Sequence, residues 1–168
     1  MPYAAVLDTE SNLALQVDEG SWATLTNLFE DADFNCSSFL CVSQSNCSDL
    51  YANMSYIKVV IDDTAYWIPP AGYTYRKQNL TNDTCMVAIT PGSQNNTILL
   101  GNYFLASYYA QLDYSSTQVS FGVNNRGAWV AGIGNASDLT PSNAYQHDLQ
   151  NDNNSWTGSF FIGTPTQK

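Results

Sequence analysis

Apolar side chains fall along this chain in short runs, most of them ended by Asp, Asn, Ser, Gly or Pro. Such runs predict strands joined by turns rather than long helices. Residues 3–7 form the first and stop at Asp8, as a strand that delivers an acidic side chain at its tip would. Residues 13–17 form a second. Asp18 then offers an N-cap, and Trp22, Leu25, Leu28 and Phe29 recur at helical spacing, which predicts one amphipathic helix with Gly20 in its first turn. Residues 34–53, rich in Cys, Ser and Asn, read as a disulfide-pinned loop region. Residues 56–61 and 64–68 predict a hairpin about Asp62-Asp63, ended by Pro69-Pro70. Further strands are expected at 84–90 and 97–100, then Gly101 as punctuation and a short helix over 102–107. Residues 108–114 and 118–123 predict a second hairpin about Ser115-Ser116. The fold class is therefore all-β with a few short helices, in a domain spanning residues 1–124. From there to residue 168 Gly, Asn, Ser and Thr dominate, with apolar islands at 128–133 and 159–162. This is an extension packed on the domain or a loose tail, and the composition favours the tail.

A chain of 168 residues with 44% hydrophobic content can bury one real core. Charged residues make up only 12%, and five basic side chains face fifteen acidic ones, for a net charge of −10. Such a surface repels phosphate backbones and anionic lipids, which argues against nucleic-acid binding. No apolar run is long enough to span a bilayer as a helix, so no membrane insertion is expected. The acidic balance is compatible with an acidic compartment.

Four cysteines, Cys36, Cys41, Cys47 and Cys85, form an even set that allows three pairings. With no Cys-x-x-Cys and a single distant histidine, His147, a zinc site lacks both spacing and ligands. Two disulfides are expected, and neither metal nor cofactor. His147 reads as an exposed residue of the polar stretch. Asn-x-Ser/Thr triplets begin at Asn35, Asn46, Asn53, Asn79, Asn82, Asn95, Asn135 and Asn153. Chance at this composition would give roughly three, so the excess predicts glycosylation in a eukaryotic secretory pathway and a secreted, vacuolar or lysosomal location. The first residues nevertheless lack a basic, apolar leader, and this mismatch predicts a chain without its front.

Several ordered segments then resemble one family. Ala5-Val6-Leu7-Asp8-Thr9-Glu10-Ser11 is similar to the second active-site motif of pepsin-like aspartic proteases, two apolar residues before Asp-Thr-Gly-Thr/Ser. Leu13 to Leu25 resembles the strand and helix that follow it there. Val60 to Ile68 resembles the family's hairpin, with Pro69 to Tyr75 after it. Ile98-Leu99-Leu100-Gly101-Asn102-Tyr103-Phe104-Leu105, with Tyr108-Tyr109 and Leu112-Asp113, resembles Ile-Leu-Gly-Asp-x-Phe-Leu…Tyr-Tyr…Phe-Asp, and Gln118 to Gly122 its last core strand. The resemblance covers residues 3–124. It implies the C-terminal lobe of the pepsin-like bilobal double-β-barrel fold. It also implies a Cys47–Cys85 bridge across the hairpin segment, which leaves Cys36 and Cys41 to close a small loop.

Aspartic proteolysis needs two carboxylates close enough to share a proton, so that one activates water while the other protonates the substrate carbonyl. The family draws one Asp from each lobe, and only Asp8 matches here. The resemblance makes Asp8 catalytic and Thr9 a brace between the two active-site loops. It leaves Ser11 either hydrogen-bonding near the carboxylate or the substrate, or as a simple turn serine. The implied partners are an N-terminal lobe of the same protease and a peptide or protein substrate, and the isolated chain is expected to be inactive. Glu10 stands where the family has glycine, Asn12 where it has serine, and Asn102 where it has Asp. Glu10 would crowd the pair and raise its pKa values, so a catalytically degenerate peptide- or protein-binding module is one rival reading. A homodimeric single-lobe protease is another. Val17-Asp18-Glu19-Gly20-Ser21 offers a weaker competing register for the motif. Tyr51, Tyr56, Tyr66, Tyr73, Tyr75, Tyr108 and Tyr109 line a cleft or, more ordinarily for strand aromatics, fill the core.

Overall fold

The computed structural model describes residues 4–78, 83–92, 96–124, 132–135, 137 and 159–163. Its strands are short and its helices few. β1 (Ala4–Leu7) and β2 (Leu15–Val17) lead into α1 (Glu19–Asp31). Asp18 caps that helix by accepting from the Ser21 N–H at 3.0 Å and the Ser21 hydroxyl at 2.8 Å. The carboxylate of the competing register is thus occupied as a helix cap. Trp22, Leu25 and Phe29 bury the apolar face of α1. The helix ends where Asp33 turns left-handed at φ 68° and the Phe34 N–H bonds the Phe29 carbonyl at 3.0 Å. An Asp tolerates that conformation better than most residues.

β3 (Asn35–Cys36), β4 (Cys41–Ser43), α2 (Cys47–Leu50) and a 3-10 turn at Tyr51–Asn53 follow. The segment expected as loop is thus partly regular. Disulfides join Cys36 to Cys41 and Cys47 to Cys85, the pairing that the resemblance implied. The second spans 38 residues, and a loop of that length contributes about 4 kcal/mol by restricting the unfolded chain. β5 (Tyr56–Ile61) and β6 (Thr64–Ile68) form the first hairpin, with both turn residues left-handed, Asp62 at φ 46° and Asp63 at 61°. Two such residues match the right-handed twist of the flanking strands.

A one-turn helix α3 (Pro70–Tyr73) and strand β7 (Thr74–Gln78) then precede β8 (Asp83–Val87) and β9 (Ile89–Pro91). The single strand expected over 84–90 is two, broken at Ala88, whose N–H bonds the Tyr73 carbonyl at 2.7 Å and whose carbonyl accepts from Ala14 at 2.6 Å. β10 (Thr97–Leu100), α4 (Asn102–Ser107), β11 (Tyr108–Asp113) and β12 (Gln118–Val123) complete the expected order.

The strands assemble as β1-β10-β2-β9, as β3-β4-β8-β7, as the pair β11-β12, and as β13-β6-β5-β14. β13 (Gly132–Asn135) and β14 (Ser159–Gly163) come from beyond residue 124 and pair antiparallel to β6 and parallel to β5. At these two places the chain lies along the first hairpin. One core joins the sheets: Trp22, Leu25 and Phe29 of α1 share it with Leu15, Val87 and Ile89 and with Tyr66, Phe104 and Tyr108. Tyr66 meets Tyr108 and Phe121 edge-on, both at 5.4 Å between ring centres. Tyr66, Tyr73 and Tyr108 are therefore core residues, whereas Tyr109 is exposed. No helix among the described residues is long and apolar enough to cross a membrane.

Candidate active site

Asp8 leaves the tip of β1 and begins a loop whose path is set by β10. β1 runs parallel to β10, with Leu7 opposite Leu100, and β2 pairs antiparallel on the other side. The chain therefore steps across the end of β10 over residues 8–14. Hydrogen bonds fix that crossing. The Asp8 N–H donates to the Leu100 carbonyl at 3.0 Å. The N–H groups of Gly101, Asn102 and Tyr103 donate to the carbonyls of Ala14, Ser11 and Leu13 at 3.1, 2.9 and 3.1 Å. Donors at the start of a helix have no partner within it, so the loop carbonyls cap α4 while α4 shapes the loop.

Glycine at 101 is required by proximity. A Cβ there would run into the Leu13 carbonyl oxygen and stand 3.1 Å from that of Ser11. Both obstacles are backbone and cannot rotate away. The residue adopts ordinary extended backbone, φ −94°, so its freedom of conformation is not what matters.

The Asp8 side chain is half-buried, and its Oδ1 accepts the Glu10 N–H at 3.0 Å. That bond orients the carboxylate within its own turn. Glu10 and Thr9 are exposed. Glu10 is not among the described residues with left-handed backbone, so its position does not need glycine's conformational freedom. Ser11 Oγ accepts the Leu13 N–H at 3.3 Å, a turn contact. The two other departures from the family pattern meet: Asn102 Nδ2 donates to Asn12 Oδ1 at 3.3 Å, one more link between loop and helix. In the sequence the two substitutions stand far apart. Their contact spans ninety residues and carries no local signal.

Val6, beside Asp8 on the edge strand, is 43% exposed. An open cleft of about 430 Å³ runs along the neighbouring side of the sheet. Leu7 and Leu100 line it, with Ile61 and Asp62 from the first hairpin and Val119 and Phe121 from the second. Nothing local in the sequence joins these two hairpins to one site. No group of three potential metal ligands occurs among the described residues. Of the sequon asparagines, Asn35, Asn46, Asn53 and Asn135 are exposed, while Asn79, Asn82, Asn95 and Asn153 lie outside the described residues, as does His147.

No curated protein matches the chain. A family model does, the one described as eukaryotic aspartyl protease, over residues 3–124, the stretch that runs from β1 to the end of the second hairpin. With the bridged cysteines, the all-β core and the loop locked across β10, that match places the chain in the eukaryotic aspartyl protease family.

Proposed function

We propose that this chain is the C-terminal half of a bilobal aspartic endopeptidase, supplying Asp8 and one wall of the peptide cleft, and that it works in a secreted, vacuolar or lysosomal setting. The observation that carries the reading is the position of Asp8, at a strand tip in a loop clamped by the first turn of α4, with its carboxylate oriented by the Glu10 N–H. A nucleophilic water needs such a fixed acceptor. In the assembled site the ionised carboxylate takes a proton from water as the water oxygen bonds to the substrate carbonyl carbon. The protonated partner donates to the carbonyl oxygen, and the resulting tetrahedral adduct expels the amine once its nitrogen is protonated. Asp8 supplies one member of that pair, and an Asp of an N-terminal lobe supplies the other. Thr9, exposed at the tip of the loop, is suited to bracing against the matching loop of that lobe. Two disulfides fit an oxidising compartment.

The test is to read the transcript upstream of Met1 and to express the whole translated product. An in-frame lobe with its own Asp-Thr-Gly, and acid peptidase activity abolished by Asp8→Asn, is the expected result. A stop codon directly upstream defeats the two-lobed reading. Light scattering on the 168-residue chain then decides whether a homodimer brings two copies of Asp8 together.

Glu10 favours a second reading, a peptide-binding relative without catalysis, because its exposed carboxylate stands two residues from Asp8. Under that reading the whole product binds peptide but cleaves only when Glu10→Gly is introduced.

A further inference from the structure

We infer that Asn35, Asn46 and Asn53 are N-glycosylation sites that together coat the disulfide-pinned flank of the fold, beside a different sheet from the one whose strand leads to Asp8, and that disulfide closure limits the first of them. Each heads a sequon, Asn35-Cys36-Ser37, Asn46-Cys47-Ser48 and Asn53-Met54-Ser55, and each is exposed. Asn35 sits in β3, the edge of the β3-β4-β8-β7 sheet. Asn46 immediately precedes α2, which contacts β7 and β8, and Asn53 ends the following 3-10 turn. Asn35 and Asn46 therefore border one sheet, and Asn53 ends the turn whose Tyr51 hydroxyl meets the Thr74 hydroxyl of β7 at 3.4 Å. Residues 4–34 and 98–124 hold Asp8 and the exposed apolar side chains Val6, Tyr109, Leu112, Tyr114 and Val119, and no part of a sequon falls there; the Asn95 sequon, whose Thr97 opens β10, is outside the claim. A hydrated oligosaccharide is tolerated only where the surface stays in solvent, and the exposed Asn35, Asn46 and Asn53 meet that condition. Phe39, 65% exposed on the flank, lies two residues beyond the Asn35 sequon, where an attached sugar can cover it. Asn135, exposed on β13 opposite Thr64, is off this flank and outside the claim.

The reaction is a glycosyl transfer from a lipid diphosphate-linked oligosaccharide. Asn Nδ2 bonds to the sugar C1, the C1–O bond to the diphosphate breaks, the lipid diphosphate leaves, and the amide loses one proton. The middle residues of two sequons are half-cystines, which sets an order. Cys36 pairs only five residues on, with Cys41, so that ring can close as soon as both emerge. Closure ties Ser37 Oγ to the Leu40 carbonyl at 3.0 Å and folds the acceptor triplet into a tight turn. Cys47 must wait for Cys85, 38 residues later, and Asn53 has no cysteine in its sequon. Occupancy should therefore be lower at Asn35 than at Asn46 and Asn53.

The inference rests on secretory passage, so the experiment supplies that passage and the two can fail separately. The full chain is expressed behind a cleavable leader in a eukaryotic secretory host, then enzymatically deglycosylated in heavy-oxygen water and mapped by mass spectrometry. The expected result is label at all three asparagines, weakest at Asn35, with Cys41→Ser raising the Asn35 signal several-fold. Asn53→Gln and Ser55→Ala should each remove the same single glycan, so one misfolded variant does not decide the matter. A secreted chain with both bridges formed and no label at any of the three positions overturns that assignment. Equal occupancy at Asn35, unmoved by Cys41→Ser, overturns the role of the bridge.

Discussion

Around Asp8 the backbone directs its polar groups to a neighbouring element, while in the β11–β12 hairpin they are directed across the hairpin itself. The loop over residues 8–14 is tied by four backbone bonds, one to Leu100 at the end of β10 and three to Gly101, Asn102 and Tyr103 at the start of α4, next to the buried Leu100 and Phe104 in the chain. The hairpin is anchored at its base by Tyr108 and by the Asn124 N–H on the Ser107 carbonyl at 2.9 Å. Beyond Tyr108, β11 is exposed along its whole length, and Tyr114 at the turn is 86% exposed. A two-stranded ribbon is marginal without a packed face. The Asp8 loop is thus fixed by contacts among the described residues, whereas the hairpin carries apolar side chains that no described residue covers.

The sharpest way to break this contrast is Gly101→Ala. The added methyl meets the backbone carbonyls of Leu13 and Ser11, so relief requires moving the loop off α4. A loss of about 3 kcal/mol is expected from overpacking against immobile backbone. Denaturant unfolding measures it, and a loss below about 1 kcal/mol would mean that the loop yields easily and is not preset.

A smaller effect separates the base of the hairpin from its tip. The Tyr108 hydroxyl donates to the Trp67 carbonyl at 2.7 Å and the Gly132 carbonyl at 2.8 Å. Burial pushes its pKa well above the ordinary tyrosine range, as it does that of Tyr73. Tyr108→Phe leaves those carbonyls without this donor and should cost about 1–2 kcal/mol at neutral pH. The same burial gives a pH dependence of known sign. Above the ordinary value of 10.0 the unfolded chain releases protons that the folded chain keeps, so stability is intact below that pH and falls above it. The slope reaches about 1.4 kcal/mol per pH unit for each such tyrosine. Tyr108→Phe should make the alkaline slope shallower by one tyrosine's share. At the tip, Ser115 and Ser116 hydroxyls at 2.7 Å hold the Asp113 carboxyl below its usual range. Its contribution is lost only as pH falls through the acid range, and its full exposure makes it small.

These two regions also divide what could be read in advance. Both hairpins, α1 with its Asp18 cap and α4 were legible because each depends on nearby residues: paired turn residues, helical spacing, a punctuating glycine. The two pairs of bridged cysteines were legible only through the family resemblance. Hidden were the features made by distant contacts. Ala88 breaks one expected strand because its polar groups bond Tyr73 and Ala14. α3 could not be seen in Pro69-Pro70, where a proline at the first helical position looks the same as one that ends a strand. The site divides likewise. Asp8 could be placed from its motif, but the Asn12–Asn102 contact and the hairpin-lined cleft required the fold.

The smallest expected effect bears most directly on the exposed hairpin. Leu112 faces Val119 across the strands, and each is about half exposed. In a solitary chain Leu112→Ser removes one cross-strand apolar pair and little buried area, so the loss should be about 0.5 kcal/mol. Truncating a leucine in a packed core costs several times more. Thermal unfolding of the 168-residue chain, with light scattering at the same concentration, measures both quantities that matter. A small loss in a monomer leaves the face open to a separate lobe. A loss above about 2 kcal/mol in a particle of twice the mass would mean that a second copy already covers it, and would turn the hairpin from an uncovered surface into half of a core.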